Sequence, residues 1–351
     1  MTVAAIPGTL CQVSSGGILP LHIDLLTDPT GAQLHDWHQV LTAALGHDLP
    51  GDPVPSSDDV SAQLTTPSAH SRKLLWLARN TAGAPVGTAA LRLFDEPGRS
   101  HLAALELYSH PAHRRLGAGS LLLDTAVGAA RDNGRRSLVT RTTVGTPGDR
   151  FLATRAFTPA LKLTWRRLRF DSMDTAAIGA FAGEQHPGYR LETWEGVAPE
   201  ALIDGFALAK RAMGVGAGPA GGIPPGHVPW NAERVRSASE IFAKRGEQLI
   251  TVAAISEADG SVAGYTELVV PADGSGRALQ YDTAVVPGHR GHGLGRWMKA
   301  SMIQRITSEL PGVTEIETDN ADDNRHMVAI NTGLGFVPVR QTVEYQLRLA
   351  E

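Results

Sequence analysis

The feature that most constrains this chain is a glycine-studded segment that occurs twice, 176 residues apart. Residues 114–119 read Arg114-Arg115-Leu116-Gly117-Ala118-Gly119 and follow Ser109-His110-Pro111. Residues 290–295 read Arg290-Gly291-His292-Gly293-Leu294-Gly295 and follow Val285-Val286-Pro287. Each copy closes an apolar, strand-like run and opens a helix-like one. In the second, Leu294, Met298, Met302, Ile306 and Leu310 recur at helical spacing. Glycines at a helix N-terminus let main-chain N–H groups close on an anion, and the helix dipole adds to the attraction. No Gly-Lys-Ser/Thr follows, so this is not a P-loop, and the unit comes too late in each half for a dinucleotide-binding fingerprint. Two copies imply a duplicated domain that holds a phosphorylated ligand.

The repeat extends on both sides. Residues 73–80 and 85–94 read as a β-hairpin, matched by 248–256 and 262–270. Third strands are expected at 101–110 and 277–286, helices at 119–133 and 295–310, and further strands at 137–142 and 315–318. The chain of 351 residues is long enough for two domains. Its net charge of −4, with no Lys/Arg block, argues against a nucleic-acid partner. Cys11 is the single cysteine, so no intrachain disulfide can form. No apolar run approaches the ~18 residues of a membrane span, and residues 1–10 lack a signal peptide's basic and apolar regions. A cytoplasmic protein without membrane contact is expected. The Gly/Pro-rich run 214–229 is expected as a loop, either a cover for the site or a disordered surface loop.

A strand, then Val-x-Pro-x-x-Arg-Gly-x-Gly-x-Gly, then a helix resembles the acetyl-CoA signature of the Gcn5-related N-acetyltransferase (GNAT) superfamily. The run 318–336, with its Asn-rich turn, helix and closing Leu-Gly-Phe, is similar to the second half of that family's cofactor site. The order of elements resembles the tandem two-domain type common in actinobacteria. The resemblance implies an α/β (α+β layered) fold of two tandem GNAT-like domains, each a mixed, mostly antiparallel splayed sheet flanked by helices. The domains are expected at residues 1–172 and 186–351, with a linker at 173–185.

It also implies the site. The co-substrate is acetyl-CoA or another acyl-CoA, without a metal. Its pyrophosphate would lie on the main chain of Arg290, Gly291, His292, Gly293, Leu294 and Gly295, and in the other half on Arg114, Arg115, Leu116, Gly117, Ala118 and Gly119. Pantetheine would pair with Ala284, Val285 and Val286, or with 108–110. Asn324 and Asn331 would hold the CoA arm, unless they cap or pack a helix. A tyrosine acid common in the family is replaced by Asn331 in the second half and Leu152 in the first.

An amine attacks a thioester only as its free base, so a carboxylate near the acceptor helps. Asp282 lies eight residues before Arg290, Glu106 eight before Arg114, and Glu267 on the preceding strand. Each could instead be a strand-end carboxylate paired with an arginine. The expected acceptor is a small-molecule primary amine, the expected catalytic half the second, and the expected assembly a monomer or homodimer. Alternatives are a non-catalytic CoA-binding or regulatory protein, or a transferase using a non-CoA acyl donor such as an aminoacyl-tRNA. His289 and His292, three apart in a glycine loop, are poor metal ligands.

Overall fold

Apolar runs become strands in both repeats, and all of them hydrogen-bond into one mixed sheet of 12 strands. The structure is a computed structural model that describes residues 20–68, 70–96, 98–214, 230–272, 274 and 276–349. The expected loop at 214–229, and Cys11, fall almost wholly outside these residues. The first repeat runs β1 (His22–Leu26), α1 (Gly31–Asp48), α2 (Ser57–Thr65), β2 (Ser71–Arg79), β3 (Pro85–Phe94) and β4 (Leu102–Ser109). It continues through α3 (Ala118–Asp132), β5 (Ser137–Thr143), α4 (Pro147–Ala153) and β6 (Thr158–Arg169). After α5 (Thr175–Ala182), the second repeat gives β7 (Tyr189–Glu195), α6 (Ile203–Gly214), α7 (Ala232–Lys244), β8 (Gln248–Ser256), β9 (Val262–Val270) and β10 (Gly276–Val285). It ends with α8 (Leu294–Glu309), β11 (Val313–Ala321), α9 (Arg325–Gly333) and β12 (Val337–Arg348).

Local chemistry sets many of these bounds. Thr30 with Gln33, and Ser56 with Asp59, form capping boxes that start α1 and α2. The stretch expected as a linker holds α5. Asp174 caps it by accepting from the Ala177 amide at 2.9 Å, and the Trp297 indole of α8 donates to the Ala182 carbonyl at 3.0 Å.

The strand order is β1-β2-β3-β4-β5-β12-β6-β11-β10-β9-β8-β7. Each repeat therefore gives its last strand to the other. β12 lies antiparallel to β5, from Thr342 opposite Thr143 to Arg348 opposite Ser137. β6 lies antiparallel to β11, from Glu315 opposite Arg169 to Ala321 opposite Leu163. The cores follow the exchange: Tyr345 and Leu349 pack into the first repeat's core, Leu168 into the second's. The Tyr345 hydroxyl donates to Asp149 of α4 at 2.8 Å. An ionic cluster pins the crossing. Glu317, almost fully buried, accepts from Arg167 at 2.9 Å and from Arg340 at 2.8 and 2.6 Å. Asp52 accepts from Arg167, Arg277 and Arg340. Burial alone would raise the Asp52 carboxyl, but these three guanidinium groups hold it below its usual range.

Both repeats open a gap in the sheet at equivalent places. β4 and β5 run parallel only from Leu102 to Leu105, and β10 and β11 only from Gly276 to Leu279. Beyond those points the strands part, leaving the C-terminal ends of β4 and β10 with a free edge.

Candidate functional site

The glycine segments sit where β4 and β10 end. Each strand runs into a single 3-10 turn, Pro111–His113 or Pro287–His289, and then a left-handed turn into the helix. Gly291 and Gly293 take φ of 84° and 75°. In the first repeat Gly117 takes φ of 96°, but the place of Gly291 is held by Arg115, at φ of 67°. A side chain there strains the backbone by roughly 1–2 kcal/mol. No side chain caps α3 or α8. Among the described residues, nothing accepts from the main-chain amides of 291–295. An N-terminus with unpaired amides is a ready anion cradle.

The two copies differ in charge. Arg290 turns its guanidinium back to the Val285 carbonyl at 3.2 Å and, among the described residues, meets no carboxylate. Arg114 makes the same bond to the Ser109 carbonyl, but its other nitrogens hold Asp48 in a fork at 2.7 and 2.8 Å. Burial would raise the Asp48 carboxyl, yet the Arg114 fork, with His47, keeps it low. The first repeat's arginine is thus neutralised in place.

At the gap edge, the Val286 amide donates to Ala263 of β9 at 2.9 Å. The alternation of an antiparallel pair then turns the Val285 N–H and C=O to the other side, where β11 has already left. His110 and Ser109 repeat this arrangement, His110 donating to Val86 at 2.9 Å. Of the two gap-edge strands, β10 alone is bulged against its hairpin partner. Between Gln280 and Thr283 the pairing with β9 slips by one, so Tyr281 and Asp282 both face Glu267. The buried Gln280 amide donates to the Glu267 carbonyl at 2.9 Å and the Thr266 hydroxyl at 2.8 Å, which fixes the slip. β4 carries no such irregularity.

The bulge sets the two carboxylates apart. Asp282 has 43 % of its side chain exposed, whereas Glu267 is buried and accepts from Lys210 of α6 at 2.6 Å. Burial raises the Glu267 carboxyl and Lys210 opposes that rise. The Lys210 ammonium also stands 3.7 Å from Asp282 and lies over the rings of Trp230, Tyr265 and Phe206 at 4.6, 5.0 and 5.2 Å. The buried Tyr265 hydroxyl is pushed far up by burial and by the Asp282 and Glu267 charges. Asp282 and Glu267 are thus brought together, while Glu106 lies in the other repeat. Lys210 and Gln280 escaped sequence reasoning. Lys210 comes from a helix nearly 60 residues before Glu267, and a bulge has no pattern of its own.

The remaining predicted residues are structural in their contacts. Asn324 caps α9, accepting from the Met327 amide at 3.2 Å. Asn331 is wholly buried, donates to Asn320 at 2.7 Å, and accepts at its main-chain carbonyl from the Phe336 amide. Its Oδ1 has no partner. The closing turn recurs in both repeats, with Gly335 at φ of 89° and Ala156 at 58°. His289 meets the Tyr189 hydroxyl at 3.1 Å. Among the described residues, no group of three or more His, Cys, Asp or Glu is placed to hold a metal ion, and no helix is long and apolar enough to cross a membrane.

Two splayed gaps, each with a free strand edge leading to an amide-lined helix start, define an acyl-CoA-dependent acyltransferase architecture. The profile of the acetyltransferase (GNAT) family matches residues 36–155 and 223–336, and the chain belongs to that family as a tandem member. Among solved structures it is similar to a tandem GNAT protein from the clavulanic acid biosynthesis pathway, with 24 % identity, a TM-score of 0.79 and coverage of 94 % of this chain and 99 % of that one. A GCN5-related N-acetyltransferase from Sphaerobacter thermophilus aligns at 15 % identity and a TM-score of 0.72, covering 95 % and 98 %. These likenesses show the fold. No curated protein matches the sequence.

Proposed function

We propose that the protein transfers the acyl group of acetyl-CoA, or another acyl-CoA, to a primary amine of a small molecule, and that the second repeat does the chemistry. The bulge in β10 carries this reading: it sets a half-exposed Asp282 at the free edge beside Lys210 and Glu267, whereas β4 has the exposed Glu106 at the matching place but no bulge. Acyl-CoA supplies a thioester carbonyl whose carbon the free amine attacks, with CoA thiolate as the leaving group. The amides of 291–295 fit its pyrophosphate, since among the described residues they are unpaired and two of them belong to left-handed glycines, and Arg290 adds a charge that no described carboxylate neutralises. The Val285 edge pairs with pantetheine as an added strand and offers its N–H to the carbonyl oxygen. Asp282 accepts the proton that the attacking amine sheds. Lys210 keeps Glu267 occupied and tempers the charge beside Asp282. In the first repeat, Arg115 and the Asp48-locked Arg114 make a poorer cradle, which suits a supporting role.

The test is thiol release from acetyl-CoA with a panel of primary amines, using the parent and Asp282→Asn. Loss of the base lowers kcat/KM by about 10²–10⁴-fold near neutral pH, less so at high pH where the amine arrives deprotonated. Equal activity across the pH range would remove Asp282 from the reaction. Tight acetyl-CoA binding without turnover of any amine would favour a CoA-binding role instead.

A further inference from the structure

A cavity of about 170 Å³ opens beside β4 of the first repeat, away from Asp282. That is enough for a small organic molecule. Trp37 and Leu41 of α1 and Val60 and Leu64 of α2 make it apolar on one side. Lys73, Arg92 and Glu106 enter from β2, β3 and β4, and Arg245 reaches in from the C-terminal cap of α7, in the other repeat. Lys73 and Arg92 are direct cross-strand partners, where like charges destabilise a sheet.

These cations are poorly neutralised. Lys73 donates to the Gln63 carbonyl, which carries no net charge. Arg92 has no hydrogen bond or ion pair among the described residues. Arg245 has a buried Nε without an acceptor, and its nearest carboxylate, Glu247, is 3.9 Å away. Burial, with Arg92 and Arg245, pushes the Lys73 ammonium down to about 8, against the pull of Glu106. The Tyr108 hydroxyl in the same wall stays protonated, raised by burial and Glu106. At the equivalent register the second repeat has Leu249 paired with Val269, both buried, so the cations do not belong to the shared repeat pattern.

We propose that this cavity binds a small carboxylate with an apolar body. The carboxylate settles among Lys73, Arg92 and Arg245, and the body lies against Trp37, Leu41 and Leu64. Such a ligand touches both repeats through Arg245. Glu106 and Tyr108 in its wall belong to the first repeat's own gap, so the proposal concerns the ligand of that repeat and is independent only of the chemistry placed at Asp282.

Calorimetry on the full chain with isocaproate, and with isoamylamine as the amine counterpart, tests it near pH 8 in two buffers of different ionisation enthalpy. The acid binds saturably and the amine does not. The heat depends on the buffer, because a bound carboxylate draws a proton onto Lys73. Arg92→Gln and Arg245→Gln each weaken the acid by roughly tenfold or more, as expected for loss of a charged hydrogen bond. Acetyl-CoA binding, measured separately, stays as in the parent, and melting curves check that each variant folds. The proposal is overturned if the amine binds as well as the acid, if the acid does not bind at tens of millimolar, or if both folded variants bind it like the parent. Failure to bind acetyl-CoA would touch only the transferase reading.

Discussion

Lys299 on α8 has 1 % of its surface exposed, and among the described residues it makes no hydrogen bond or ion pair. Its ammonium stands 5.2 Å from the centre of the Phe336 ring. Burial alone holds it down to about 7, against a usual 10.5. The difference is about 3.5 units, and at about 1.36 kcal/mol each the folded state forgoes as much as about 5 kcal/mol at neutral pH. The unfolded chain keeps the proton up to about pH 10.5 and the folded chain only to about 7. Stability from this group therefore rises with pH across that window and is flat below it. Lys299→Met keeps the length and removes the charge. The variant is expected to exceed the parent by about 2–5 kcal/mol at pH 7, with the gain shrinking to a small fraction near pH 10. Urea unfolding followed by circular dichroism at about pH 7, 8.5 and 10 reads the difference, and the other titrating groups, Lys73 among them, cancel between the two proteins. A variant no more stable than the parent at pH 7, or a gain that stays constant to pH 10, would refute the argument.

Gly293→Asp forces a side chain into a left-handed position, where its Cβ would meet His186 at 3.1 Å, and sets an anion in the cradle. Acetyl-CoA affinity measured by calorimetry should fall by about 100-fold or more, and Gly117→Asp should cost far less. Glu317→Gln leaves Arg167 and Arg340 short of a buried counter-charge and should cost about 2–4 kcal/mol in urea unfolding; an unchanged midpoint would mean the cluster is solvated. Residues 1–172 or 186–351 expressed alone each lack a strand of their own sheet, so neither should give a sharp cooperative melt, whereas the two co-expressed should associate.

Much of this was legible in the sequence because it rests on local chemistry. The runs 85–94, 248–256 and 262–270 are strands to the residue, since each is a buried apolar stretch bounded by turn residues. The helices start at the glycine loops because a left-handed turn there demands glycine, or tolerates Arg115 at a cost. The exchange of β6 and β12 was not legible. A strand's pattern states which face is buried, and either repeat offered the same kind of open edge, on β5 or on β11, for an antiparallel strand. Nor could the spacing of Asp282 and Glu267 show which carboxylate keeps water. That depends on a one-residue slip in β10 and on a lysine from α6.

The strand exchange also sets a timetable. Gln346 of β12 donates to Ser137 of β5 across 209 residues of chain. At about 5–20 residues per second, β5 leaves the ribosome about 10–40 s before the strand that covers it. Through that interval its amides and carbonyls form an open edge, the kind of surface on which nascent chains pair wrongly. The first repeat is begun first yet completed last. Loss of a few residues from the C-terminus should therefore be felt in the core of the opposite repeat, and the need for chaperone cover should peak midway through synthesis.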